Sequence, residues 1–417
     1  MTGPRSWVPV PDGSDFPLAN LPYGVFSRAG ETARVGVAIG AQVLDLAGLA
    51  RDGLLDGTVR DPVAVLAAPS LNALLAADRA SWQRLRGRLT GLLGEGADTA
   101  AVSPRLVPQA EATMQLPVQA GDYVDFYSSI EHASTVGRIF RPDGDPLLPN
   151  WRWVPIAYHG RAGTLIASGT PIRRPMGQRR PAKGEAPSFG PSRKLDIELE
   201  LGFVLGGATR LGEPVPIDCA EEHLFGVVLV NDWSARDIQA WEYQPLGPFL
   251  GKSFATSLGA WVVTWDALAP YRVPARAQEP PPLDYLAGDG AWALDMELSV
   301  ELAADGAAPE QISAVNARGL YWSAPQQLAH LTSNGASIRP GDLFASGTIS
   351  GEGPAQAGSL LERTWDGRDP MRLASGAERT FLEDGDTVTL RGWAGGDAPD
   401  RPRIGLGSCV GTIVPAV

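Results

Sequence analysis

The chain has 417 residues, of which 44% are hydrophobic and 20% charged, and its formal net charge at pH 7 is -12. This length allows more than one domain, and the composition is that of a globular protein rather than a disordered one. The negative charge, without a clustered basic patch, argues against a nucleic acid as partner. The abundance of Gly (49) and Pro (36) predicts a turn-rich, mainly β fold.

Two cysteines, Cys219 and Cys409, are too few for a disulfide framework and lack the spacing of a zinc site. The first residues lack the charged start and apolar run of a signal peptide. No apolar run approaches the length that crosses a membrane. The sequence therefore predicts a cytoplasmic protein with no membrane partner.

The chain divides into a predicted N-terminal domain, residues 1–116, and a larger C-terminal domain, residues 117–417. The N-terminal part is predicted to contain a hairpin of strands 34–39 and 42–46, a helix over 71–75 capped by Ser70, and a helix over 82–93 capped by Asp78 or Ser81. This part contains no His and no Cys. We expect it to serve packing or dimerisation rather than chemistry.

The C-terminal part shows short apolar segments separated by turn residues, a pattern that is typical of strands. Strands are predicted over 227–230, 261–264, 296–302 and 387–390, with one clear helix around 325–331. Residues 175–191 are rich in Pro and Gly and are predicted to form a long loop. A loop of that length in a compact domain is usually functional or disordered.

Residues 195–201, with the sequence Leu-Asp-Ile-Glu-Leu-Glu-Leu, place a carboxylate at every second position. In a strand, Asp196, Glu198 and Glu200 would share one face and the aliphatic residues the other. One interpretation is an edge strand with a solvated acidic face. The other is a cation site, in which a bound metal relieves the repulsion between like charges.

Two further acidic positions lie in informative surroundings. Asp125 stands shortly before His132, and Asp232 follows an apolar run at the predicted end of a buried strand. Strand ends are where a rigid scaffold presents side chains to a site. An all-oxygen set suits a hard cation, Mg²⁺ or Ca²⁺, rather than zinc, and it could be drawn from Asp125, Glu198, Glu200 and Asp232. The sequence alone leaves their grouping in space open.

The chain has four histidines. For each of them a hydrogen-bonded structural role is the commoner outcome. Only His132, among polar residues and next to Glu131, has the context of a general base. Ser128 and Ser129 precede it, but no Gly-x-Ser-x-Gly motif is present, which argues against a serine nucleophile.

Several longer motifs resemble the fumarylacetoacetase (fumarylacetoacetate hydrolase) family. The stretches that carry the resemblance are Asp125-Phe-Tyr-Ser-Ser with His132-Ala, Tyr158-His-Gly-Arg161, SGTPIRRPMGQ at 168–178, NDWSARDIQ at 231–239, PLGPFLGKS at 245–253 and SGTISG at 346–351. The stretch 231–239 is shared with relatives that act on other ketoacids, whereas 245–253 is more specific. The resemblance covers nearly the whole chain.

The resemblance implies a mainly β (α+β) fold, with a small N-terminal SH3-like barrel and a larger C-terminal mixed β-roll, paired as a homodimer. It also implies a bound divalent cation, Mg²⁺ and/or Ca²⁺, and a small-molecule substrate. The implied activity is metal-dependent hydrolysis of the carbon–carbon bond of 4-fumarylacetoacetate to fumarate and acetoacetate, the last step of tyrosine and phenylalanine degradation.

The resemblance assigns roles to residues that match the family's motifs. The implied metal ligands are Asp125, Glu198, Glu200 and Asp232, with Lys252 and Thr256 beside the metal. The implied catalytic residues are His132, Glu362, Arg236, Gln239 and Lys252. The implied substrate contacts are Tyr127, Arg141, Tyr158, Gln239, Tyr243 and Thr348. Glu362 follows from the stretch Gly358-Ser-Leu-Leu-Glu362.

Three other functions fit parts of the pattern. The first is an acylpyruvate hydrolase or an oxaloacetate-type decarboxylase on the same fold. The second is a non-catalytic Ca²⁺-binding β-domain, which gives no reason for His132, Arg236 and Lys252 to accompany the acids. The third is a small-molecule binding module descended from such an enzyme.

Overall fold

The computed structural model describes residues 5–181, 185–396 and 401–417. As predicted, the fold is mainly β, with a small N-terminal sheet followed by a larger C-terminal part that contains two main sheets. No helix among these residues is both long and apolar enough to cross a membrane. The domain boundary after residue 116 stays a prediction.

Among the described residues, the N-terminal part contains one sheet and four α-helices. Its strands, in order across the sheet, are Leu106–Pro108, Gln42–Asp45, Arg34–Ile39, Tyr23–Ser27 and Thr113–Met114, and its helices are Leu46–Arg51, Pro62–Leu66, Asn72–Leu75 and Arg79–Leu93. The predicted hairpin around Gly40 is confirmed. Asp78 caps the last helix, since its Oδ1 accepts from the backbone N–H of Ser81 at 2.7 Å. The predicted cap at Ser70 is wrong, because Leu71 occupies the cap position.

An eight-stranded sheet forms the centre of the molecule. Its strands, in order, are Ala157–His159, Tyr123–Phe126, Leu343–Ala345, Leu199–Leu205, Leu224–Asp232, Thr256–Leu258 and Leu165–Ala167, with Val263–Thr264 also paired to Leu224–Asp232. The second C-terminal sheet has the strands Glu310–Asn316, Met296–Ala303, Thr387–Ala394, Ile404–Val414 and Ile172–Arg173. The strands predicted over 227–230, 296–302 and 387–390 are confirmed.

Both faces of the central sheet are covered. Leu201 and Phe203 pack into a core shared with the second C-terminal sheet, whereas Val204 and Val228 pack into the core of the N-terminal part. Successive side chains of a strand point to opposite faces, so a strand covered on both sides reads as a continuous apolar run. The central sheet is therefore buried on both faces, and it holds the side chains at its strand ends in place.

The C-terminal part also contains shorter elements. Its helices are Ile130–Phe140, Arg236–Glu242, Ala324–Thr332 and Leu360–Arg363. Its two-stranded sheets pair Leu195–Asp196 with Ser234–Ala235, Met176–Arg179 with Ser188–Pro191, Arg272–Val273 with Ala293–Leu294, and Met371–Arg372 with Glu378–Arg379. The 3-10 helices of the chain are Ser103–Arg105, Gln109–Glu111, Ala162–Thr164, Ile217–Glu222, Ala269–Tyr271, Asp284–Leu286, Ala317–Gly319 and Pro354–Gln356. The helix predicted around 325–331 is confirmed.

The long loop predicted over 175–191 is wrong. Met176–Arg179 pairs antiparallel with Ser188–Pro191, and Gly177 lies against the side chain of Ile238. Pro and Gly are tolerated here because these strands pair only with each other, as edge strands do. Residues 182–184 of the predicted loop lie outside the described residues.

The sequence also failed to indicate the helix Ile130–Phe140, which is longer than the one helix predicted in this part. Its start has an ordinary signal, since Ser129 is the cap and its Oγ accepts from the backbone N–H of His132 at 3.3 Å. This helix fixes the place of His132 in the fold.

The acidic stretch is not one continuous strand. Leu195–Asp196 and Leu199–Leu205 are separate strands with a break at residues 197–198. Asp196, Glu198 and Glu200 are 0%, 5% and 0% exposed. The interpretation as a solvated edge strand is therefore wrong, because Leu199–Leu205 lies between two other strands of the central sheet.

Candidate active site

Four buried carboxylates meet at one end of the central sheet. They come from Asp125, Glu198, Glu200 and Asp232, and one oxygen of each lies within 4.8 Å of the others. Each acid lies on a strand of this sheet or directly before one. We call this group the acid cluster. The sheet thus brings together the four residues that the sequence selected as metal ligands.

Two members of the acid cluster have carboxylate oxygens to which no described residue donates a hydrogen bond. Both carboxylate oxygens of Glu200 and Oδ1 of Asp125 are buried without a hydrogen-bond partner among the described residues. Burial and then the neighbouring carboxylates raise the pKa of Glu200 and of Asp125 well above the usual range. Unpaired buried carboxylates are costly, and oxygen ligands of this kind are those that a hard divalent cation prefers. The cluster can therefore hold a metal ion.

Three donors compensate part of this charge from the side of Asp232. Lys252 Nζ donates to Glu198 and, at 2.9 Å, to Asp232 Oδ2. Tyr158 donates its hydroxyl to the same oxygen at 2.9 Å, and Thr256 donates to Oδ1 at 2.6 Å. Burial opposes the charged form of Lys252, but Asp232 and Glu198 outweigh it and the pKa of Lys252 lies above its usual value. Lys252 therefore keeps its proton.

His132 forms a pair with Glu362, which is 230 positions away in the chain. Nδ1 of His132 lies 2.7 Å from Oε2 of Glu362, and both side chains are buried. Burial acts to raise the pKa of the Glu362 carboxyl, but His132 and then two serine hydroxyls outweigh it, so the pKa lies below its usual value. An ionised Glu362 accepts the N–H at Nδ1, which leaves Nε2 of His132 to take up a proton.

Two serines that received no predicted role hold Glu362 in place. Ser350 and Ser359 donate their hydroxyls to Oε2 of Glu362 at 2.9 and 2.7 Å. Ser359 also caps the helix Leu360–Arg363 by accepting from the backbone N–H of Glu362 at 3.3 Å. The spacing of Ser359 to Glu362 is that of a capping box, a signal that the sequence did contain.

Arg236 contacts one member of the acid cluster, Glu198, and also Gln239 and Asp196. Its Nη1 lies 2.9 Å from Glu198 Oε1 and donates to Gln239 Oε1 at 3.1 Å, while its Nε donates to Asp196 Oδ2 at 2.7 Å. Its Nη2 is buried and has no hydrogen-bond partner among the described residues. Arg236 therefore has one donor nitrogen that no described residue uses.

A cavity of about 460 Å³ lies beside His132, Arg236 and part of the acid cluster. The predicted site residues that line it are Asp125, Tyr127, His132, Arg141, Tyr158, Glu198, Arg236, Gln239, Tyr243, Lys252 and Thr348. Glu362 and Asp232 do not line the cavity but bond to His132 and Lys252, which do. Glu200 and Thr256 lie behind them, Glu200 within the acid cluster and Thr256 bonded to Asp232. Apolar residues complete the wall, among them Phe140, Leu148 and Leu246.

The backbone at one wall of the cavity requires a glycine. Gly347 has φ +75°, and a Cβ there would lie 2.1 Å from the carbonyl oxygen of Phe126. The close approach of these two segments brings Thr348 to the cavity, with its Oγ1 buried and without a partner among the described residues. Thr348 Oγ1 is thus a second buried polar atom that bonds to no described residue.

Comparisons with known proteins cover almost the whole chain. Residues 19–117 match the family described as fumarylacetoacetase N-terminal, and residues 123–414 match the one described as fumarylacetoacetate (FAA) hydrolase C-terminal. The chain is 48% identical to fumarylacetoacetase of Homo sapiens and 45% identical to that of Arabidopsis thaliana, in each case over 99% of both chains. The predicted family is confirmed.

The fold has counterparts among solved structures. Fumarylacetoacetate hydrolase from psychrophilic Exiguobacterium antarcticum aligns with a TM-score of 0.54 at 17% identity, over 95% of this chain and 100% of that one. Maleylpyruvate hydrolase from Sphingobium sp. SYK-6 aligns with a TM-score of 0.50 at 16% identity, over 95% of this chain and 100% of that one. At these identities the likeness shows the shared fold.

Proposed function

Because the chain belongs to the fumarylacetoacetate hydrolase family, we propose that it hydrolyses the carbon–carbon bond of fumarylacetoacetate to give fumarate and acetoacetate. Full-length relatives with that name, at 45–48% identity, support this substrate over acylpyruvates or oxaloacetate. The observation that carries the proposal is that one cavity is lined by His132 and by two members of the acid cluster, Asp125 and Glu198. A Ca²⁺-binding module without catalysis gives no reason for this arrangement.

The His132–Glu362 pair acts on water. Glu362 holds the imidazole with Nδ1 protonated, so Nε2 takes a proton from a water molecule as that water attacks the carbonyl carbon. Ser350 and Ser359 keep Glu362 ionised and in place. Help of this kind is worth about 10²–10⁴-fold in rate. It therefore supplies only part of the catalysis.

Arg236, Gln239 and Lys252 stabilise the negative charge that develops on oxygen. Nη2 of Arg236 is unpartnered among the described residues and belongs to a residue that lines the cavity, so it donates without first losing another bond. One such donor is typically worth about 3–4 kcal/mol in the transition state. Lys252, which is protonated in the resting site, donates a proton to the leaving carbon as the carbon–carbon bond breaks and acetoacetate forms. The proton that His132 took from water then returns through solvent to restore the Lys252 ammonium.

The acid cluster is proposed to bind Mg²⁺ or Ca²⁺, with Lys252 and Thr256 beside it. When bound, the cation supplies Lewis-acid polarisation of the substrate oxygens. Arg141, Tyr127, Tyr243 and Thr348 bind the substrate's carboxylate and carbonyl groups, and Arg141 lies exposed at the cavity. Tyr158 joins them through the hydroxyl that otherwise bonds to Asp232.

The test is loss of the ultraviolet absorbance of fumarylacetoacetate on adding the protein, with fumarate and acetoacetate identified as products. We expect turnover to stop with a chelator and to return on adding Mg²⁺ or Ca²⁺. Faster turnover of acylpyruvates than of fumarylacetoacetate would contradict the proposed substrate. The cytoplasmic location and the homodimer are proposals of the same kind, and sedimentation of the purified protein tests the second.

A further inference from the structure

Asp196 is a fully buried carboxylate that none of the roles above uses. Its Oδ1 accepts from the backbone N–H of Ile197 and from that of Leu360, both at 2.7 Å. Its Oδ2 accepts from the backbone N–H of Leu361 at 3.0 Å and from Nε of Arg236 at 2.7 Å. Four donors from three separate segments therefore converge on one side chain.

Two of these segments carry groups with a proposed role in the reaction, namely Glu362 and Arg236. Leu360 and Leu361 begin the short helix that bears Glu362, the partner of His132. Arg236 lines the cavity, and its buried Nη2 has no hydrogen-bond partner among the described residues. One carboxylate thus bonds at the same time to the guanidinium and to the backbone turn that places the His132–Glu362 pair.

We propose that Asp196 is a positioning residue, which fixes Arg236 relative to the His132–Glu362 pair by bonding to the guanidinium and to the Leu360–Leu361 backbone. This inference rests on the proposed function. Asp196 is not among the described residues that line the cavity, so it acts through Arg236 and Glu362 and not on the substrate. A misplacement of about 1 Å in such a pair can cost about 10²-fold in rate.

The substitution Asp196→Asn tests the role with almost no change in size. Each oxygen of Asp196 faces two N–H donors. The amide NH₂ of asparagine must therefore oppose two donors in either orientation, and that contact displaces Arg236 or the turn before Glu362. A buried amide NH₂ that faces N–H donors also destabilises the folded protein. A control must therefore separate the loss of stability from the loss of positioning.

Asp386→Asn is the matched control. Asp386 is also fully buried and accepts from Nε and Nη2 of Arg379, at 2.9 and 3.1 Å, and from the backbone N–H of Glu383 at 2.9 Å. It lies outside the lining of the cavity. Both variants should lower the temperature of thermal unfolding. Only Asp196→Asn should lower kcat, by about 10²-fold, with KM changed by less than about threefold.

Two results would overturn the proposal. The first is a kcat of Asp196→Asn within about twofold of that of the unmodified protein, and the second is an equal fall in kcat for Asp386→Asn. If Asp196→Asn does not fold, Asp196→Glu is the second variant. It keeps the charge but moves the carboxylate by one methylene, so kcat should still fall by about tenfold or more. Unchanged kcat in Asp196→Glu would also overturn the proposal.

A double-mutant cycle separates positioning from general loss of structure. If Asp196 acts in part through Arg236, the fall in kcat caused by Asp196→Asn should be several-fold smaller in an Arg236→Ala background, where only the effect through the turn before Glu362 remains. An equal fall in both backgrounds would contradict that route.

A crystal structure of Asp196→Asn gives a readout that needs no turnover. We expect the guanidinium of Arg236 to move by about 1 Å or more relative to His132, with no such movement in Asp386→Asn. If the unmodified protein fails to turn over fumarylacetoacetate, the proposed function fails, while this measurement still tests the positioning. An unmoved guanidinium would refute the positioning alone.

Discussion

Nδ1 of His132 lies 2.7 Å from Oε2 of Glu362, and the same oxygen accepts the hydroxyls of Ser350 and Ser359. Three donors on one carboxylate oxygen fix the imidazole in a single orientation. With Nδ1 committed as a donor, Nε2 is the only nitrogen of the ring that can act as a base. The pair therefore defines where a water molecule must stand to be activated.

His132→Ala removes that base. We expect kcat to fall by about 10²–10⁴-fold, with circular dichroism and metal content unchanged. His223→Ala is the matched control, since Nδ1 of His223 bonds to the carbonyl of Gly206 and the residue lies outside the lining of the cavity. Activity that persists in His132→Ala would place the base elsewhere.

Ser359→Ala removes one of the two hydroxyls that hold Glu362. A hydrogen bond to a charged group is worth about 1.5–3 kcal/mol, so kcat should fall by about tenfold or more. The helix also loses its cap, which should lower the free energy of unfolding by about 1 kcal/mol. Steady-state kinetics and urea denaturation measure the two effects.

Ser323→Ala provides the comparison for Ser359→Ala. Ser323 stands at the start of the helix Ala324–Thr332, forms a capping box with Gln326 and is not among the described residues that line the cavity. We expect a similar loss of stability with kcat unchanged. Equal kinetic effects of the two substitutions would show that stability, and not the hold on Glu362, controls the rate.

The sequence predicted the family, the mainly β fold and the four acids that meet in the cluster. It could not decide between a solvated and a buried acidic strand, because period-2 alternation fixes which side chains share a face and not what covers that face. The charges that make burial of Glu198 tolerable come from Arg236 and Lys252, distant in the chain.

Contacts between residues that are distant in the chain also explain why the surroundings of Glu362 could not be predicted. Asp196 bonds to Leu360 and Leu361, which are 164 and 165 positions away, and no local pattern reports such contacts. The hairpin within 175–191 escapes the sequence for another reason, since Pro and Gly predict a loop although strands at an edge accept them.

The two cysteines are predicted to differ in reactivity. Cys219 is exposed, whereas Cys409 is buried, and burial raises the pKa of the Cys409 thiol to about 12. Only the thiolate is nucleophilic, so a thiol-alkylating reagent at pH 8 should modify Cys219 alone in the folded protein. Mass spectrometry of the intact chain should show one adduct, and two after unfolding. Two adducts before unfolding would contradict the burial of Cys409.

Arg236→Lys keeps the positive charge but loses the geometry. A single ammonium cannot bond to Asp196, Glu198 and Gln239 and still present a free donor, as the guanidinium does. We expect kcat to fall by about 10²–10³-fold and KM to change much less. Arg379→Lys disrupts a comparable buried pair and should leave kcat unchanged. A rise in KM alone for Arg236→Lys would assign this residue to binding.

Glu200→Gln should abolish metal binding and yet stabilise the metal-free protein. Both oxygens of Glu200 are buried without a partner among the described residues, and its pKa is raised by burial and then by the neighbouring carboxylates. A carboxyl whose folded-state pKa lies above its unfolded value binds more protons when folded, so it costs stability increasingly as pH rises. Glutamine removes that cost, and its amide can donate to Asp125 or Glu198.

Thermal unfolding with a chelator, from pH 6 to pH 9, should therefore show a gain in the free energy of unfolding for Glu200→Gln. The gain should grow by about 1.4 kcal/mol for each pH unit while the pH stays below the folded-state pKa of Glu200, and it should level off above that pKa. Adding Mg²⁺ or Ca²⁺ should raise the unfolding temperature of the unmodified protein and leave that of the variant unchanged. Glu301→Gln, at a partly exposed ion pair with Arg391, should alter neither measurement. Unchanged metal content in Glu200→Ala, which leaves no side-chain oxygen at this position, would exclude Glu200 as a ligand.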